Sequence, residues 1–385
     1  MNRKMPPVNE TRMTKLRIPL ARPEITDADR EAVLQVLRTP DLSFGPKLGE
    51  FENAIARYLQ IDHAIAVNSG TSALHLALRI LDLPVASEVI LPSFAFAAPL
   101  NVLLQEKLCP TFVDIDPATL NTTPDLVEAA ITPRTRSIIA IHTFGRPVDA
   151  ARLRDLADRR RLFFIEDACE ALGSELSSRK AGSFGHISVL AFYPNKQITT
   201  GEGGILATNS RDFADHARRL RNQGRDPSLD WCQQTEIGFS YRLSEMNCAL
   251  GSEQLKRIES IVTRRQAVAE IYDQKLASIP EIVRPALSVP GYRISWFAYV
   301  VQLAPNFSAA DRDALCAMLA SRGIATARYF APLHLQPVAA GLSKSSLLHT
   351  ELSADRVIAL PFFNELTESQ MDEVCRALKE SLEHL

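Results

Sequence analysis

Between His63 and Asn209 the chain alternates short apolar runs with helical patterns, and this alternation narrows its fold more than any other feature. "HAIAVNSG" reads as a strand and the turn after it. "TSALHLALRIL" reads as a helix with Leu74, Ala77, Leu78 and Leu81 along one face. "EVILPS", "TFVDID", "SIIAIHTFG", "LFFIED", "HISVLAFY" and "GGILATN" continue the strand series. Helical segments such as "DAARLRDLADRRR" separate most of them. Such a βαβ series predicts an α/β fold, a mainly parallel sheet covered by helices on both faces.

From about Leu243 the pattern changes. "SEMNCALGSEQLKRIESIVTRRQAVAEIYDQKLASI" is a long helical pattern with little strand signal. It is followed by strand-like "SWFAYVVQL", a helix from Ala309, "IATARYF", and a closing helix that opens near Thr367 with Glu368 and Asp372 in its early turns. A chain of 385 residues exceeds what one compact core usually serves. The expected organisation is a flexible lead-in over 1–18, a large domain over 19–255 and a smaller α+β domain over 256–385, with the long helix bridging the boundary.

Bulk properties exclude several functions. A net charge of −2 gives no reason to expect nucleic acid or an anionic membrane as a partner. No two of the six cysteines have C-x-x-C spacing and no H-E-x-x-H occurs, so reduced thiols and no metal are expected. The most apolar stretch, "VILPSFAFAAPLNVLL", is broken by Pro92 and Pro99 and falls short of the roughly 20 apolar residues a span needs. The N-terminus is basic but has no apolar signal core, so a cytoplasmic location is the default expectation.

Three stretches carry chemistry. "NSGTSAL" (68–74) lies at a strand-to-helix turn, where Gly70, Thr71 and Ser72 place backbone N–H groups and hydroxyls at a helix N-terminus. That suits a phosphate, or merely caps the helix. No G-x-G-x-x-G follows a strand and no G-x-x-x-x-G-K-[ST] occurs, so a dinucleotide fold and a P-loop lack support. "LFFIEDACEALGS" ends an apolar strand in Glu166 and Asp167, where ligands of open α/β sheets bind. An acid there needs a partner, either a protonated ring nitrogen or an internal salt bridge. "FYPNKQITTGEGG" places Lys196 in a turn before three glycines, as a solvated charge or a covalent catalyst. A phosphate cup, an acid at a strand end and a lysine in a later turn are together what pyridoxal 5'-phosphate needs.

With these residues in order, the chain resembles the DegT/DnrJ/EryC1/StrS aminotransferases, pyridoxal-phosphate enzymes that mostly aminate keto sugars attached to nucleotides. The resemblance runs from about Pro19 to the last helix, through "NSGTSALHLAL", "LPSFAFAAPLNVL", "IEDACEALGS", "AFYPNKQITTGEGG", "GFSYRLSEMNCALGSEQL" and "GIATARYFAPLHLQP". It implies a large domain of the aspartate-aminotransferase type (fold type I) with a seven-stranded sheet. Lys196 would hold the cofactor's aldehyde and shuttle protons. Asp167 would pair with the pyridine nitrogen. Gly70, Thr71 and Ser72 would bind phosphate, and Phe96 would stack on the ring. Ser240 in "GFSYR" would reach the neighbouring subunit's cofactor, implying a homodimer with shared sites. Tyr329 and His334 would line the sugar pocket, with glutamate or glutamine as amino donor. "ITTGEGG" is similar to members that act at sugar carbon 4.

Three positions depart from the family pattern. Glu170 stands where Gln usually donates to the cofactor's phenolic oxygen, so it either stays protonated or turns to another partner. Ala191 replaces a serine phosphate ligand, and Ser240 replaces a longer Asn. Members with His in place of the lysine are sugar dehydratases, which Lys196 argues against. Another pyridoxal-phosphate reaction on this fold, such as an aminated-ring synthase, and a non-catalytic regulatory relative remain the alternatives.

Overall fold

The computed structural model describes residues 16–226, 230, 233–342 and 346–385, so most of the expected lead-in and Cys232 lie outside the described residues. The large sheet takes β1 (His63–Val67), β2 (Glu88–Pro92), β3 (Cys109–Val113), β4 (Thr135–Ile141) and β5 (Phe163–Asp167). After a short hairpin, β6 (Glu175–Leu176) and β7 (Arg179–Lys180), it adds β8 (Ile187–Ala191) and β9 (Gly204–Thr208). The order is β1-β9-β8-β5-β4-β2-β3, parallel from β8 to β3. The mainly parallel sheet expected from the alternation is therefore present, with the seven strands the family resemblance implies.

β9 is the exception, antiparallel to both β8 and β1. The connection from β8 to β9 contains no helix, and a parallel crossover normally needs one. The chain instead reverses at the carboxyl end of β8. That reversal is the lysine-bearing stretch 192–203, so it sits at the sheet edge where β5 ends and where the chain leaves β1.

Alternating strand residues face opposite layers. Ile65, Val67, Val189 and Leu206 pack under the helix Gly70–Leu81, which is buried almost all round. Ala64, Ala66, Leu190 and Ile205 face the other way, onto Phe51 and Ile55 of the helix Pro46–Leu59.

The C-terminal part has its own antiparallel sheet, β10 (Ile282–Val283), β12 (Tyr299–Leu303) and β13 (Val357–Leu360), while β11 (Tyr292–Arg293) joins the β6–β7 hairpin. Tyr272, Tyr299, Leu319 and Leu378 are among its buried core. The long helical pattern forms two helices, Glu245–Leu255 and Ile258–Leu276. Ile18 is buried and bridges Ile324, so the end of the lead-in stretch is held against this part. "IATARYF" makes only isolated bridges, through Ile324 and Ala327. Ser308 and Thr367 each open a helix with a capping box, which satisfies otherwise orphaned N–H groups. Among the described residues no helix is long and apolar enough to cross a membrane, and no group of three or more His, Cys, Asp or Glu residues is arranged to hold a metal ion.

Candidate active site

The carboxyl ends of β1, β5 and β8 bring the sequence-predicted residues together. The Ser69 hydroxyl caps the helix Gly70–Leu81, accepting the Ser72 N–H at 3.0 Å, and the Ser72 hydroxyl donates to Asn68 Oδ1 at 2.6 Å. Thr71 is exposed at this N-terminus. Glycine is required on both sides of the contact between this turn and the sheet. A Cβ on Gly70 would lie 2.7 Å from Ala191 Cβ, and one on Gly204 would collide with the Ser69 carbonyl. Gly204 pairs with both Ala191 and Val67. The last glycine of "GEGG" thus lets the turn at Ser69–Gly70 approach the lysine loop. Ala191, read from sequence as a missing donor, has its methyl group against Gly70.

Asp167 closes β5, buried, with Oδ1 accepting the Cys169 N–H at 3.0 Å. Burial and the Asp167 charge push the Cys169 thiol well above its ordinary range, which keeps the sulfur protonated. Glu166, one residue earlier, points behind the sheet. Its carboxylate accepts from His142 Nε2, the Gly182, Phe184 and Gly185 N–H groups and the Ser188 hydroxyl, at 2.7–3.0 Å. The Val148 N–H donates to His142 Nδ1, so Nε2 carries the hydrogen that Glu166 accepts. Burial pushes the Glu166 carboxyl up, but His142 and these N–H groups outweigh it and hold the pKa below the usual range.

Lys196 places its amine between Glu170 and the Phe297 ring. Its ammonium lies 3.6 Å from Glu170 Oε1 and 4.1 Å from the centre of the Phe297 ring, a cation–π distance. The side chain is only 13% exposed. Gln197 ties the loop down by donating to the Glu170 carbonyl at 2.6 Å and the Ser295 carbonyl at 2.8 Å. Glu170 is buried, with Oε2 accepting the Phe144 N–H at 2.9 Å. Phe144 holds the left-handed region at φ 56°, which is unusual for a bulky residue and aims that N–H inward. Burial pushes the Glu170 carboxyl above its ordinary pKa, and Lys196 and the Phe144 N–H only partly offset this. Of the two expectations for Glu170, the structure shows the other partner, the Phe144 N–H.

The rings of Phe144, Phe297, Phe330 and Tyr329 form an aromatic wall beside Lys196. Burial and the Glu170 charge raise the Tyr329 pKa, so its hydroxyl stays protonated. His334 lies farther back. Ser93 Oγ accepts the His334 backbone N–H at 3.1 Å and lies 2.6 Å from Nδ1, while Nε2 is 3.3 Å from Glu351. Both ring nitrogens are therefore engaged within the protein. Phe96 is 64% exposed. Ser240 is also exposed, and the carbonyl of the adjacent Tyr241 accepts the Asn68 N–H at 3.0 Å beside the cup. Phe144 and Phe297 had no signal in the sequence, since each reaches the lysine only through the fold. Gln197 was visible only as the neighbour of Lys196.

The family model described as the DegT/DnrJ/EryC1/StrS aminotransferase family matches residues 23–379. The chain belongs to this family. It is 37% identical over 368 residues to GDP-perosamine synthase of Caulobacter vibrioides, covering 95% of this chain and 98% of that protein. Among solved structures it superposes on the aminotransferase TlmJ from Streptoalloteichus hindustanus with a TM-score of 0.90 at 30% identity, over 95% of this chain and 99% of that one. It also superposes on NtdA from Bacillus subtilis, solved with bound cofactor PMP, with a TM-score of 0.84 at 28% identity over 93% and 83% of the two chains. The protein is thus an aminotransferase dependent on pyridoxal phosphate. The donor set fits that cofactor, with an enclosed amine at Lys196, a buried carboxylate at Asp167 and the N-terminus of the helix Gly70–Leu81 with Thr71 exposed on it.

Proposed function

We propose that the protein transfers an amino group from glutamate or glutamine to carbon 4 of a keto sugar carried on a nucleotide, as a homodimer with shared active sites. The observation that carries this reading is the enclosed Lys196 amine, on a chain that matches GDP-perosamine synthase along almost its whole length. Bound pyridoxal phosphate supplies an aldehyde that takes up the amino group and a ring that accepts electrons. The chain's own groups supply the rest.

The Gly70 and Thr71 N–H groups and the Thr71 hydroxyl would hold phosphate at the positive end of the helix, while Ser72 is engaged with Ser69 and Asn68. The Asp167 carboxylate would accept a hydrogen bond from the ring nitrogen and keep that nitrogen protonated. Lys196 Nζ anchors the cofactor in the resting enzyme, then takes and returns a proton during transfer. Exposed Phe96 covers the ring, and Ser240 of the partner subunit completes the phosphate cup. Tyr329 faces the sugar, while His334, tied to Ser93 and Glu351, positions the segment that carries it.

The test is the reverse half-reaction. The aldehyde-form enzyme is mixed with GDP-linked sugars aminated at carbon 3 or carbon 4, and conversion to pyridoxamine phosphate is followed by absorbance. Conversion by the carbon-4 amine is expected, and conversion only by the carbon-3 amine would overturn the regiochemistry. Lys196→Ala should lower amino transfer on the order of 10³-fold or more. A variant that still completed the transfer at the parent rate would remove Lys196 from the mechanism.

A further inference from the structure

We infer that Glu170 is the proton partner of Lys196: the two side chains share one proton, which passes from Nζ to Oε1 whenever the lysine must act as a neutral amine. In that step an N–H bond of the ammonium breaks and an O–H bond on Glu170 forms. No other reactant is needed. The inference rests on the aminotransferase reading only in naming Lys196 as the reacting amine.

The geometry places the two groups as an ion pair in which one carboxyl oxygen is open to the amine. Among the described residues Glu170 is the only acid paired with Lys196, at 3.6 Å, and both side chains are nearly closed to solvent. Oε2 is fixed by the Phe144 N–H, which leaves Oε1 facing the amine. The Gln197 amide holds the Glu170 backbone against the lysine loop, so the two groups keep their spacing. A buried ion pair costs desolvation of two charges, whereas moving the proton across leaves two neutral groups. Burial already disfavours the Glu170 anion, which makes it a ready acceptor.

Other charged groups do not replace Glu170. Asp167 is committed to the Cys169 N–H on one oxygen, and its negative charge also favours a protonated Glu170. The Cys169 thiol and the Tyr329 hydroxyl are held protonated by burial. A narrow cavity on the other side of Lys196 is lined by Arg22, Glu24 and Arg265. There Glu24 is paired with Arg257 and Arg264, Arg22 with Glu365, and Arg265 donates to the Trp296 and Phe297 carbonyls.

Two coupled sites that share a proton have a pH range in which the distribution between them is fixed. In that range the neutral-amine fraction of Lys196 is constant. Without the partner, the fraction rises tenfold per pH unit until the lysine is neutral. The experiment is competitive labelling of the cofactor-free, full-length protein with trace acetic anhydride, read on the Lys196 peptide by mass spectrometry. For the parent, reactivity should change by less than about two-fold between about pH 6 and pH 8. Glu170→Gln keeps the acceptor for the Phe144 N–H but cannot take the proton, and should show roughly tenfold per unit over the same range. Glu170→Asp, which withdraws the carboxyl from Nζ, should follow the Gln variant. The same slope in the parent and in Glu170→Gln would overturn the inference, as would a flat profile in Glu170→Asp. Because no amino transfer is involved, failure here is distinguishable from failure of the proposed substrate.

Discussion

Glu166 and Glu170 lie on the two sides of the β5 end, and both are buried. Behind the strand, five donors surround Glu166, and its carboxyl is held below the ordinary range despite burial. In front, Glu170 has one N–H and one ammonium, and its carboxyl is held above that range. Burial is the same opposing force in both places, and the number of donors decides the outcome. The rear site is a saturated anchor. The front site keeps spare proton capacity next to Lys196, which a saturated carboxylate would lack. Asp167 lies between them, held by the anchor and facing the reactive side.

The largest effect expected from this contrast is in the rear site. Glu166→Gln turns an amide N–H₂ toward donors that need acceptors, and His142 cannot switch tautomer because the Val148 N–H occupies Nδ1. Breaking a buried charge network of this kind costs about 3–5 kcal/mol. Urea denaturation of the cofactor-free protein measures it. A loss below about 1 kcal/mol would mean that the five contacts do not act as an anchor.

A smaller effect is expected across the front site. Phe297→Leu removes the ring 4.1 Å from the Lys196 ammonium while keeping an apolar side chain. The lost cation–π attraction is about 1 kcal/mol, so the Lys196 labelling rate at neutral pH should rise roughly three- to ten-fold. An unchanged rate would show that Glu170 alone sets the lysine's state.

The two sides also differ in how far the sequence revealed them. The strand series, the strand-end acids and the lysine turn come from local periodicity and short motifs, which one segment carries within itself. What surrounds Lys196 does not. Phe297 belongs to the C-terminal part, and Phe144 reaches Glu170 by a backbone N–H set by an unusual φ, which residue identity does not encode. Glu170 was visible as a departure from the family pattern, but its direction depended on that N–H. Ala191 adds a contact that the sequence does not show. In sequence it is a missing hydroxyl, whereas in space its methyl group is part of the close contact that makes Gly70 necessary. The segment "IATARYF" reads as a strand because its residues favour one, yet only Ile324 and Ala327 find bridging partners. Period alone does not supply a neighbouring strand.

The smallest change in stability, and the sharpest test of the comparison, is expected from Glu170→Gln. The sign follows from linkage. A carboxyl with a folded pKa above its unfolded value makes the folded state relatively less stable as pH rises through the interval between the two values. For Glu170 that interval begins near 4.5 and extends upward. Glu166, with its folded pKa below 4.5, does the reverse: its contribution is full above that value and is lost as pH falls. Glu170→Gln should therefore gain stability relative to the parent as pH rises from 4.5 toward neutrality, ending within about 1 kcal/mol of it because the Phe144 hydrogen bond is kept. Glu166→Gln should lose stability relative to the parent as pH rises into and through the interval just below 4.5. Paired urea melts from about pH 2.5 to about pH 8 read both slopes in one series. If the two variants moved in the same direction, burial alone would govern both glutamates, and the difference in donors would not separate an anchor from a proton partner.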